Sequence, residues 1–292
     1  MNIAAVQSTI FLPWFMLAFF ICFQGVICFR PIVLVHGILN GPAEFKDFLK
    51  ILETYHPGTP TVVIDAYNDF QSFDSMWLQL HDVSKLIMNK TSHFEDGYNL
   101  LCFSQGGLLC RSFIQSEDKH RVRNFISLSS PQGGQYGNTV YIHFHLIKEE
   151  AYRFFYTLEG QRWSVGNYWN DPHHHEMYLK YNTFLPKMDN SVITEQSAKY
   201  KRNLLQLNNF ILIGGPDDGV ITPWQSSQFS IFDENEQVVN YKDRHLYKTD
   251  AIGLKTLEEQ NKLHFCTVPG VFHTKWHGNL TVFKQCIEQW LD

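Results

Sequence analysis

The sequence has no run of Lys or Arg: 24 basic side chains face 29 acidic ones over 292 residues, for a net charge of −5. Nucleic-acid binding needs clustered cations, so that class is excluded. No internal repeat, linker or low-complexity tract is visible either, which leaves one large α/β domain or two small ones. Charge is missing altogether from residues 1–28, where an apolar run extends from Ile10 to Cys28. This segment is expected to be a secretory signal peptide cleaved near Cys28, with Val26 and Cys28 small enough for the processing site. The run is also about as long as a membrane span, so a signal anchor is the other reading. Cysteine is scarce beyond it, at Cys102, Cys110, Cys266 and Cys286 only. An even number on a secretory route fits two disulfides with three possible connectivities, and proximity favours Cys102–Cys110 and Cys266–Cys286. A buried free thiol is the alternative for Cys102. The sequons Asn89-Lys-Thr91 and Asn279-Leu-Thr281 mark Asn89 and Asn279 as candidate glycosylation sites.

What is present after residue 30 is an alternation of two periods. Pro31–Val35, Thr61–Asp65, Asn99–Phe103, Phe125–Leu128, Phe210–Ile213 and His264–Val268 are short continuous apolar runs, as expected for strands buried on both faces. Helical spacing connects them: Phe45, Phe48, Leu49 and Leu52; then Trp77, Leu80, Val83, Leu86 and Ile87; then Gly106 to about Gln115; and finally about Thr281 to Leu291. Such alternation implies a mostly parallel sheet with helices on both faces. The rhythm stops between Pro131 and about Asn208, where no strand is legible and rings crowd together, among them Tyr141, Phe144, Phe155, Tyr156, Trp163, Trp169 and Phe184. This stretch is too long and too apolar for a plain loop and is expected to be a helical cap inserted at about 131–208. Most of its rings would pack on the core, and some would line an apolar channel.

The segment Tyr98-Asn-Leu-Leu-Cys-Phe-Ser-Gln-Gly-Gly-Leu-Leu-Cys110 runs as a strand into Ser104 and leaves through two glycines into a helix. That is the layout of a nucleophile elbow, with Cys102 where G-x-S-x-G has its first glycine. Acyl transfer by a serine also needs an acid and a base in the chain order Ser, Asp or Glu, His, each on a loop beyond the carboxyl end of a strand. Asp218 in Gly214-Gly-Pro-Asp-Asp-Gly-Val-Ile-Thr-Pro223 is the expected acid, with Asp217 beside it; His273 is the expected base, with His277 as the alternative. Val35-His-Gly-Ile38 follows the first strand, so the N–H groups of Ile38 and Gln105 are the expected oxyanion donors. His36 itself is expected to be structural. The run His173-His-His175 has no Cys or carboxylate at metal-ligand spacing, so no metal is assigned to it. The chemistry needs no cofactor.

Taken together, Leu34–Gly37, Cys102–Leu108, Phe125–Gln132, Asn167–His173, Leu212–Ser227 and Gly270–His277 resemble the palmitoyl-protein thioesterases, and more closely the second of their two lysosomal types. The resemblance runs over nearly all of the chain after residue 30, and Cys102 in the elbow is a mark of that type. It implies an α/β-hydrolase fold, a triad of Ser104, Asp218 and His273, fatty acyl thioesters as substrates, and the lysosome or secretion as destination. It also implies cleavage of residues 1–28, no membrane span in the mature chain, and the two disulfides favoured above. Members of the second type are expected to have a further cap disulfide, whose positions are Phe155 and Gly166 here, so this cap would be less constrained. An oxygen-ester lipase or phospholipase on the same fold, or a non-enzymatic lipid or protein binder, are the rival readings. A binder of that kind usually loses the serine or the histidine, and this chain keeps both.

Overall fold

The computed structural model describes residues 29–137 and 148–291. The expected leader, and Tyr141 and Phe144 of the ring-rich stretch, lie outside the described residues. Six parallel strands form the central sheet: β1 (Ile32–Val35), β2 (Thr61–Val63), β3 (Tyr98–Phe103), β4 (Val122–Leu128), β5 (Asn209–Gly214) and, after a two-strand hairpin made of β6 (Ile231–Phe232) and β7 (Val238–Val239), β8 (Leu263–Thr267). Their order is β2-β1-β3-β4-β5-β8. The chain therefore starts near one edge, turns back once through β2, and then adds strands in sequence toward the other.

Successive side chains on a strand point to opposite faces, and here each face is covered. Val33, Val35, Leu100, Cys102, Phe125 and Leu212 enter one apolar cluster, with α2 (Met76–Lys90) and α3 (Gln105–Ser116). Ile32, Leu34, Leu101, Phe103, Ile126 and Ile213 enter the other, with α1 (Lys46–Tyr55) and the C-terminal segment. Burial on both faces is why these strands read as unbroken apolar runs. The edge strand β2 is more exposed and stops at Val63, two residues short of the expected end.

Between β4 and β5 the described residues hold no strand. They hold short helices: α4 (Tyr152–Phe155), α5 (Ser164–Tyr168), α6 (His175–Tyr181), α7 (Leu185–Met188) and α8 (Ser197–Leu204). Phe155, Tyr156, Tyr168, Trp169, Tyr178 and Phe184 are buried in the first cluster, whereas Trp163 is partly exposed. A buried ion pair fastens this region to α3: Arg111 donates to Asp189 at 2.7 Å, and Asp189 also faces Arg244 at 3.4 Å. Phe155 lies against Gly166, since a Cβ added to Gly166 would sit 3.1 Å from the Phe155 ring. The Gln161 Nε2 joins the same two positions, donating to the carbonyls of Phe155 (2.8 Å) and Gly166 (2.9 Å).

Two disulfides are present, Cys102–Cys110 between β3 and α3, and Cys266–Cys286 between β8 and the C-terminal segment. That last segment departs from the single α-helix expected over 281–291. Asn279 Oδ1 accepts from the N–H of Val282 at 3.1 Å, and α-helix persists only over Leu280–Val282. A π-turn at Phe283–Ile287 and a 3-10 turn at Glu288–Trp290 follow, with Phe283, Cys286 and Ile287 all buried against the sheet. Apolar period alone does not distinguish these widened and tightened turns from a regular helix. Asn89 is exposed at the end of α2, and Asn279 is half-buried.

Candidate active site

Ser104, Asp218, His273, Ile38 and Gln105 all lie on segments that follow the carboxyl ends of sheet strands, namely β3, β5, β8, β1 and β3. Ser104 follows β3 directly and has φ 54° and ψ −130°, a backbone conformation that a side-chain-bearing residue adopts only under strain. Close packing fixes the turn from behind. A Cβ on Gly106 would meet the His36 carbonyl oxygen at 2.3 Å, and one on Gly107 would meet Ser130 Oγ at 1.8 Å. Only glycine lets α3 start this close to the segments that follow β1 and β4.

His273 follows β8, in the 3-10 turn His273–Gly278. Its Nε2 lies 2.9 Å from Ser104 Oγ, and its Nδ1 lies 2.9 and 3.0 Å from the two Asp218 carboxylate oxygens. A carboxylate can only accept, so Nδ1 bears the proton and Nε2 is left as the acceptor facing the serine. The His273 main-chain N–H also donates to the Asp218 carbonyl at 2.8 Å, which ties the two loops together. Asp218 is fully buried and accepts from the N–H groups of Val220 (3.0 Å) and Ile221 (2.8 Å), from Ser129 Oγ (2.5 Å) and from Trp276 Nε1 (2.6 Å). Burial pushes its pKa up, but the His273 contact, the Ser129 hydroxyl and the Ile221 N–H outweigh it and hold the carboxyl below its usual value.

The alternatives are placed elsewhere. Asp217 braces the neighbouring loop by accepting the Gly270 N–H at 2.7 Å. His277 faces Glu44 at 3.8 Å, and its ring stands edge-on to Phe103. His36 contacts the Gly37 and Ala66 carbonyl oxygens at 2.9 and 3.0 Å and so ties the loop after β1 to the one after β2. Of the histidine run, His173 pairs with Glu236 (3.1 Å) and His174 with Asp171 (3.0 Å), while His175 stacks on Tyr178.

The loop after β1 runs against the serine: a Cβ on Gly37 would be 2.9 Å from Ser104 Cβ. Beside it the N–H groups of Ile38 and Gln105 donate to no acceptor found among the described residues. Sequence reasoning missed the groups that contact this constellation: Ser129 and Trp276 on Asp218, Glu44 on the Gly37 N–H (3.0 Å) and Ser72 on the Leu39 N–H (2.8 Å). Ser129 was within reach of the carboxyl-edge rule, since it follows β4 directly. The others depend on contacts made only in the folded chain.

A parallel sheet in this order, with a serine on a strained strand-to-helix turn and a histidine and aspartate on later carboxyl-edge loops, defines an α/β-hydrolase. Within that class, residues 31–273 match the family model described as Palmitoyl protein thioesterase, and the chain belongs to that family. It is 41% identical over 274 residues to Lysosomal thioesterase PPT2-B of Xenopus laevis, covering 91% of this chain and 93% of that one. It is likewise 41% identical over 269 residues to the Lysosomal thioesterase PPT2 homolog of Drosophila melanogaster, with the same shares covered. To Lysosomal thioesterase PPT2 of Homo sapiens it is 38% identical over 266 residues, covering 90% and 88%.

Proposed function

We propose that this chain is a lysosomal acyl-thioester hydrolase that releases fatty acid from S-acyl substrates, acyl-CoA among them, through an acyl-serine intermediate on Ser104. The observation that carries the reading is the continuous relay from Ser104 Oγ through His273 to the Asp218 carboxylate. His273 Nε2 takes the serine proton as Oγ attacks the thioester carbonyl. Asp218 keeps the imidazole in the required tautomer and stabilises the imidazolium that forms. The N–H groups of Ile38 and Gln105 receive the tetrahedral oxyanion, and the start of α3 adds the positive end of its helix dipole. The C–S bond then breaks, the imidazolium gives its proton to the departing sulfur so that His273 is neutral again, and the thiol leaves. Its pKa of about 8.5 makes it a better leaving group than an alcohol. Water, deprotonated by the same imidazole, attacks the acyl-serine and frees the acid. No step needs a metal or nucleotide.

In this reading residues 131–208 are the cap that shapes the acyl channel, residues 1–28 direct the chain into the secretory route, and Asn89 and Asn279 are glycosylated on the way. Among the described residues no helix is long and apolar enough to cross a membrane. The test is to trap the intermediate. Brief mixing with palmitoyl-CoA and acid quenching should leave the mass of one palmitoyl group on the peptide containing Ser104. An unmodified peptide under conditions where fatty acid is being released would contradict the covalent route. Release from oxygen esters only would favour a lipase instead.

A further inference from the structure

Ile38 lies between two amides that are already committed. The N–H of Gly37 donates to Glu44 Oε2 at 3.0 Å, and the N–H of Leu39 donates to Ser72 Oγ at 2.8 Å. Leu39 has a positive φ of 58°, a conformation that a leucine takes only when something holds it there. The Ser72 hydroxyl donates to the Asp69 carbonyl, so its lone pairs face Leu39. Of three consecutive N–H groups, the outer two are occupied by side-chain oxygens and the middle one is left for the site.

Ser72 serves the second donor as well. Its carbonyl oxygen accepts from Gln105 Nε2 at 2.8 Å, from Gln79 Nε2 at 2.9 Å and from Ser164 Oγ at 2.9 Å. The Gln105 carboxamide is fixed from its other end by the Tyr168 hydroxyl, which donates to Oε1 at 3.0 Å. Both side chains are secluded: Ser72 is 2% exposed and the Glu44 side chain 3%. Neither has a surface role to explain it.

Resting on the reading that Ile38 and Gln105 bind the oxyanion, the geometry points to Glu44 and Ser72 as positioning residues of that hole. They touch no reacting atom. They hold the peptides flanking Ile38, and Ser72 also holds Gln105, so that both donors are aimed before the reaction begins. Oxyanion donors accelerate a reaction only when they need no reorganisation as charge develops.

The experiment compares Ser72→Ala and Glu44→Ala with the conservative Ser72→Thr and Glu44→Gln in the mature protein, using palmitoyl-CoA. The alanine variants should lose about ten- to hundredfold in kcat with KM changed by less than about twofold, because the interaction acts in the transition state. Ser72→Thr and Glu44→Gln, which keep an acceptor oxygen, should recover most of the loss. Affinity for an acyl trifluoromethyl ketone, whose hemiketal oxyanion fills the hole, should fall in parallel with kcat/KM. Should Ser72→Ala not fold, Ser72→Cys keeps the volume but has only a weak acceptor. Unchanged kcat, a loss confined to KM, or a loss without weaker ketone binding overturns the assignment. Ser104→Ala in the same assay separates the two levels. If it abolishes turnover while the Glu44 and Ser72 variants behave as wild type, only the positioning role fails; if it retains turnover, the reading of the site fails with it.

Discussion

Gln161→Ala should loosen the region between β4 and β5 by about 3 kcal/mol. The Gln161 carboxamide is nearly buried and makes five hydrogen bonds: to the Phe155 and Gly166 carbonyls, from Asn167 Nδ2 (3.1 Å), and from the N–H (2.7 Å) and hydroxyl (3.0 Å) of Thr183. At a net ~1 kcal/mol each these would sum to ~5 kcal/mol. Not all are lost outright. Asn167 keeps its bond to the Gln161 carbonyl at 2.8 Å, and Gly166 keeps Asn182 Nδ2 at 3.2 Å. The Thr183 hydroxyl is only part-buried and can turn to water. Two groups are left without these partners, the Thr183 N–H and the Phe155 carbonyl, and an orphaned buried group costs ~1–3 kcal/mol. The deletion therefore weighs more than two surface hydrogen bonds and less than the full sum. The assay is urea unfolding combined with hydrogen exchange resolved over residues 155–183. A loss below about 1 kcal/mol, or unchanged protection in that stretch, would refute the idea that this carboxamide joins the positions where the resemblance implies a disulfide.

Three further outcomes follow from the same geometry. Trp276→Phe removes the indole N–H from Asp218. The carboxyl, now held low in pKa, should rise, and the acid limb of the kcat profile should move to higher pH; an unmoved limb counts against the role. A carboxyl whose folded pKa is depressed contributes stability above its unfolded value and loses it as pH falls through the folded one, so Trp276→Phe should be less stable than wild type at neutral pH, by a deficit that shrinks in acid. Glu44 works in the opposite sense. Burial pushes its carboxyl up to about 7, against partial relief from the Gly37 N–H and Asn40. The folded chain then holds a proton that the unfolded chain has lost, so stability declines as pH rises from about 4.5 to about 7. His277, the imidazole facing it, is pulled down to about 4 by burial, by His273 and by Lys275, against the attraction of Asp47; its cost appears only as pH falls below about 6.5. Between pH 5 and 8, wild type should lose roughly 2–3 kcal/mol more than Glu44→Gln. Parallel urea midpoints for the two proteins would contradict this. Asp189→Ala leaves Arg111 and Arg244 buried without their shared carboxylate and should cost about 3–5 kcal/mol by urea unfolding; a loss under 1 kcal/mol would mean the pair is not the fastening it resembles.

The sheet was legible because its strands are buried on both faces, which writes a continuous apolar run into the sequence. Its boundaries were less so: the edge strand β2 stops at Val63, two residues short of the expected Asp65, and β4 begins at Val122, three residues before the expected Phe125. The meeting of Ser104, Asp218 and His273 was legible because a parallel sheet delivers side chains to one edge in chain order, so each candidate could be read from the loop after its strand. The β6–β7 hairpin was not, being only two residues per strand. Nor were Glu44 and Ser72. Their partners, Gly37 and Leu39, are separated from them by 7 and 33 residues, and nothing in a serine or glutamate marks it as an acceptor for a distant amide. Trp276 lay between two histidines under scrutiny, yet its indole N–H reaches Asp218 only once β5 and β8 are paired.

The most direct measurement is hydrolysis of a graded acyl-CoA series at acidic and neutral pH by the mature protein, beside Ser104→Ala. The account predicts turnover that vanishes with the serine hydroxyl while the fold persists, and, if residues 131–208 are the proposed cap, a chain-length preference set by that segment. If the folded protein and its Ser104→Ala variant cleave acyl-CoA equally, the triad described here is not the seat of the activity. If neither cleaves any acyl-CoA, the acyl-CoA assignment falls.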